Sequence, residues 1–144
     1  MIQHDTIALL RECDAGVQMG IRSIEDVLDR VEAPDMLHAL QKCRQEHQQL
    51  QKQIQARLHK FHDLGKAPNP IATSMSYLKT NFKLGLNDSD STVASLMTDG
   101  CNMGVKSLNR YLNEYSAAEE YAKDITKRLI HLEERLTQQL RDYL

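Results

Sequence analysis

A chain of 144 residues with 18 basic and 20 acidic side chains, net charge −2, suits one domain able to bury a real core. The charges are interspersed, with no basic patch among aromatics, which disfavours nucleic acid, and no apolar run approaches the roughly 18 residues of a membrane span. Three cysteines without a Cys-x-x-Cys pair argue against a disulfide framework and fit a reducing cytoplasm, and the N-terminal stretch lacks the basic region and cleavage site of a signal peptide.

Trp is absent and Phe occurs only at Phe61 and Phe82, so the core must be mostly aliphatic, as in helices packed on helices. The first predicted helix covers residues 5–31, with Asp5 or Thr6 as its cap. Ile7, Leu10, Val17, Ile21, Ile24, Leu28 and Val31 follow alternating three- and four-residue steps, with Asp14 as the polar member of the stripe. Ala33-Pro34-Asp35 breaks the helix, and Pro34 suits the first turn of the next one, residues 34–63. Leu37, Leu40, Ile54, Leu58 and Phe61 keep register there, while Arg44, His47 and Gln51 occupy it in an unusually polar middle. Leu64 to Pro70 is turn chemistry, and 71–84 reads as a shorter amphipathic helix. Gly85 to Ser91 is a second break, offering Ser89, Asp90 or Ser91 as cap for a helix over 90–115. Ser116, with Glu119 three residues on, forms a capping box for the last helix, 117–143, which carries Ile125, Leu129, Leu132, Leu136 and Leu140.

The stretch Gly16 to Leu28, GVQMGIRSIEDVL, recurs 84 positions later as Gly100 to Leu112, GCNMGVKSLNRYL. The apolar stripe around it recurs at the same offset, through Ala94, Cys101, Val105, Leu108 and Leu112. Connections 1–2 and 3–4 are short, which forces antiparallel neighbours, whereas the connection between them is long. Two helical hairpins joined by one long crossover is the ferritin-like form of an all-α four-helix bundle. The segments Leu10–Gly16, Tyr77–Lys83 and Asp99–Gly104, with His131, resemble a small bacterial ferritin-like family catalogued as a domain of unknown function. That resemblance covers nearly the whole chain and implies the fold, but brings no reaction with it.

Ferritin-like proteins that hold two iron or manganese ions take a Glu from each of two helices and a Glu-x-x-His from each of the others. Here Val17 and Cys101 stand at the first pair of positions, and Arg44-x-x-His47 and Arg128-x-x-His131 at the second. A permanent cation thus replaces each remaining carboxylate. No resident metal is expected. Asp14, Glu46, His47, Cys101, His131 and Glu134 remain as candidate ligands, a mixture suited to zinc, with iron or zinc as the alternative cofactor. Arg44 has two readings: its head snorkels to the bundle edge, or it pairs with Asp14 inside. Cys13, Cys43 and Cys101 read as small core residues, and no Ser/His/Asp or Cys/His grouping carries the local context of a nucleophile.

Gly16-x-x-x-Gly20 and Gly100-x-x-x-Gly104 place two glycines on one face of each helix. Each costs about 1 kcal/mol relative to Ala, so the return must be close helix packing or room for a ligand beside Met19 and Met103. The crossover is rich in apolar groups from Ile71 to Leu86 and is the expected surface of a homodimer. The function expected from the sequence is that of a non-catalytic bundle acting through protein contacts. A metal-binding or metal-oxidising ferritin-like protein is the alternative.

Overall fold

The computed structural model describes residues 1–66 and 89–144. Four long helices pack on one another: α1, Ile2–Val27; α2, Pro34–Lys60; α3, Asp90–Glu114; and α4, Glu120–Leu140. Single 3-10 turns follow α1 at Leu28–Arg30 and α4 at Arg141–Tyr143. No strand occurs among the described residues, and the class is all-α, as the periodicity predicts. The expected short helix over 71–84 and the dimer surface Ile71–Leu86 lie outside the described residues. No described helix is long and apolar enough to cross a membrane.

Helix directions follow from which ends share a core. One apolar cluster joins Leu9, Leu10 and Cys13 at the start of α1 to Ile54 and Leu58 at the end of α2, Leu108 near the end of α3, and Ala122 and Ile125 at the start of α4. A second joins Ile24 and Val27, Met36 and Leu40, Val93 and Met97, and Leu136 and Leu140. Helices α1 and α4 therefore run one way and α2 and α3 the other. Helix α2 ends at one end of the bundle and α3 begins at the opposite end, about 40 Å away at 1.5 Å per residue.

The ends are capped differently from the sequence reading. Pro34 does open α2, and Ser89 does cap α3, its Oγ accepting from Thr92 N at 3.3 Å. Asp5 and Thr6, however, lie inside the first turns of α1 and cap another element. Asp5 Oδ2 accepts from Ala117 N (3.1 Å) and Thr6 Oγ1 from Glu119 N (2.9 Å), both in the turn between α3 and α4. Ser116 and Glu119 consequently form no capping box, and α4 starts at Glu120 without a side-chain cap of its own. Asp90 does the same at the other end, accepting from Glu32 N (2.8 Å) and Ala33 N (2.9 Å) in the turn between α1 and α2. The acceptors for each turn come from the other hairpin, which a local capping rule does not see.

Candidate functional site

The repeated glycine stretches lie on α1 and α3, which run past each other in opposite directions. Bare backbone at Gly16, Gly20, Gly100 and Gly104 leaves a cavity of about 360 Å³ between them. Its walls are apolar, with Ala15, Ile24, Leu96, Met97, Leu108 and Leu136 among them, and Ser23 and Ser107 also line it. Exposed Met103, Arg110 and half-exposed Lys66 mark its mouth. The close helix packing expected of the glycines is therefore only part of their use: there is room beside Met19 and Met103.

Two buried polar side chains reach the cavity from the other two helices. His47 projects from α2 and is 2 % exposed. Its Nδ1 lies 2.8 Å from the carbonyl oxygen of Cys43 one turn back. A carbonyl only accepts, so Nδ1 carries the hydrogen and Nε2 presents a lone pair. Among the described residues Nε2 has no hydrogen-bond partner, and burial holds the ring's pKa below its ordinary value, in the neutral form. A Cβ on Gly20 would stand 2.8 Å from Nε2 and Cδ2 of this ring, so Gly20 is the residue that admits it.

Glu133 projects from α4 and is 8 % exposed. Its Oε2 is also without a partner among the described residues, and burial pushes its pKa up to about 8. The carboxyl group sits against the backbone of Gly104, where a Cβ would stand 2.9 Å from Cδ. Gly20 and Gly104 are equivalent in the 84-residue repeat. A base from one hairpin and an acid from the other thus fill corresponding places in the two halves. Around Glu133 the thiols of Cys43 and Cys101 are held protonated by burial, Cys43 with its pKa pushed up to about 12 and Cys101 higher still.

Glu133 was not among the residues that the sequence picked out. Leu129, Glu133, Leu136 and Leu140 keep the same four- and three-residue steps as the predicted stripe, but choosing Leu132 at that step hides the carboxylate. Both Leu132 and Glu133 are buried.

No protein-family model, curated protein or solved structure matches the chain.

The candidate ligands do not assemble. Among the described residues no group of three or more His, Cys, Asp or Glu side chains is placed to hold a metal ion. His47 and Cys101 line the cavity, and the other four candidates are elsewhere. Asp14 is buried, but its Oδ2 accepts from Gln18 Nε2 (2.8 Å) and Lys66 N (3.2 Å), tying down the loop after α2 where Gly65 takes φ +86°. Of the two readings of Arg44 the outward one holds: it reaches Glu25 at 3.8 Å at the bundle edge and does not pair with Asp14. Glu46 pairs with Arg135 on the surface. His131 and Glu134 are exposed, because the inward face of α4 runs through Leu129, Glu133 and Leu136. Arg128 is likewise outside, donating to Gln53 Oε1 at 2.8 Å. The two arginines thus stand at the bundle surface, and Val17 and Cys101 are buried.

Proposed function

We propose that this chain is a non-catalytic ferritin-like bundle that binds a small, largely apolar organic molecule between α1 and α3. The observation that carries the reading is a pair of buried polar atoms without partners among the described residues, His47 Nε2 and Glu133 Oε2, aimed into an apolar cavity. Buried polar groups are nearly always satisfied, and an orphan costs about 1–3 kcal/mol, so two at one cavity call for an occupant that supplies the missing partners. The volume, about 360 Å³, falls within the roughly 300–1,000 Å³ of small-molecule pockets. It is more than twice the ~150 Å³ of an engineered cavity that takes benzene.

The ferritin-like part of the reading is supported by the short turns within each hairpin and by the parallel run of α2 and α3, which need a long connection between them. The non-catalytic part is supported by the cysteine thiols, which burial leaves protonated and weakly nucleophilic. The homodimer expected through Ile71–Leu86 stands beside this reading as an inference from sequence. Light scattering at about 100 µM, well above micromolar affinities, tests it: the mass of a single chain removes it.

The cavity itself is tested with 1-naphthalenemethanol, an uncharged two-ring probe, followed by the amide resonances of the full chain. Saturable shifts concentrated at Gly16, Gly20 and Gly104 are expected. Silence at those amides up to about 1 mM probe, the weak end of specific affinity, overturns the binding reading.

A further inference from the structure

The two buried polar side chains deep in the cavity carry no positive charge. His47 Nε2 is an acceptor, Glu133 is an acid, and among the described residues no cation lies beside either. The basic side chains of the lining are at the mouth and engaged there: Lys66 Nζ lies 2.5 Å from Glu12 Oε1, and the Arg110 guanidinium lies 5.4 Å from the Tyr111 ring centroid. A carboxyl group enclosed by apolar walls is costly to ionise alone, and a cation brought by the occupant offsets that cost. Among the described residues no third protein ligand joins them, so a bare metal ion is a poor match. A hydrocarbon body against the walls fits the apolar lining.

Resting on the binding reading above, we propose that the occupant is an amphipathic organic amine whose protonated nitrogen pairs with the Glu133 carboxylate while its apolar body fills the space between α1 and α3. On binding, the carboxylic acid gives up its proton to solvent and the ammonium takes its place. No bond is made or broken in the ligand.

The proton exchange gives the proposal a sign. Glu133 holds its proton up to about pH 8, so amine binding below that pH must expel it. Affinity then falls about tenfold for each pH unit below 8 and levels off above 8 while the amine stays charged. A neutral ligand accepting a hydrogen bond from the Glu133 acid would do the reverse, binding evenly below 8 and weakening above it. The neighbouring groups leave that window clear. Cys43 from α2 and Cys101 from α3 stay thiols throughout, the ring of His47 on α2 is held neutral by burial, and Glu12, the titratable lining residue of α1, is held at the mouth.

The test compares 1-naphthylmethylamine with 1-naphthalenemethanol on the full chain, by calorimetry at about pH 6.5, 7.5 and 8.5. The amine is expected to bind at least tenfold tighter than the alcohol at the highest pH. That advantage should shrink by about tenfold per unit towards pH 6.5. It should vanish in Glu133→Gln, which keeps the shape but cannot ionise. Equal affinities, a pH-independent advantage, or an advantage that survives in Glu133→Gln each overturn the amine while leaving the cavity reading intact. Failure of both probes overturns the cavity reading and the amine with it. The pH profile of the unaltered protein decides the matter even where Glu133→Gln folds poorly.

Discussion

A methyl group at Gly16 and one at Gly20 would meet different neighbours although the two glycines share a face of α1. At Gly16 the nearest atom is Leu129 Cδ2 at 3.7 Å, ordinary van der Waals contact, whereas at Gly20 it is the His47 ring at 2.8 Å. Gly16→Ala should therefore recover the helix-propensity difference and stabilise the fold by up to ~1 kcal/mol. Gly20→Ala must displace a ring anchored to the Cys43 carbonyl, and should destabilise by about 1–3 kcal/mol despite the same gain in propensity. Urea denaturation of the two variants checks both signs. That something special happens at these glycines is legible in the sequence, since each is an unfavourable choice inside a helix. What they make room for is not, because His47 and Glu133 come from helices distant along the chain. Glu133 was obscured further by a neighbour, Leu132, that satisfies the same register.

At the scale of an element, helix bodies are readable and helix ends only in part. Pro34 and Ser89 mark starts that the structure keeps, because both act within their own helix. Asp90 follows a different rule. Its two carboxylate oxygens take the amides of Glu32 and Ala33, so it works for the turn ahead of α2 while sitting at the head of α3. Asp90→Ala should cost about 1–3 kcal/mol, because two amides lose a charged acceptor. Ser89→Ala next to it should cost about 1 kcal/mol through its own helix alone. The two variants measured in one denaturation series separate the roles, and a smaller loss for Asp90→Ala than for Ser89→Ala would contradict this account. His131, a candidate ligand, lies at the surface for a related reason. One residue of slip between the stripes of α2 and α4 turns a side chain from the core to the surface, and the polar middle of α2 offers little apolar pattern to fix the alignment.

At the scale of the molecule, the internal repeat and the contrast of short and long connections foretell four long helices in two hairpins. The directions of those helices follow, since two short turns make each pair antiparallel. The cavity does not follow, because an empty volume is the difference between large quantities that pattern alone does not determine. Nor does the manner in which the halves hold each other. Thr6 and Asp90 stand at the same place in the 84-residue repeat, and each serves the turn of the opposite hairpin. Neither half closes its own corner. The two behave as a clasp whose parts are worth little separately, so a backbone cut between residues 66 and 67 should yield fragments with low helical circular dichroism alone. Mixed at equal concentration they should regain most of the uncut signal. A bound occupant, touching α1 and α3 at once, should then act as a rivet and make the reunited fragments harder to part.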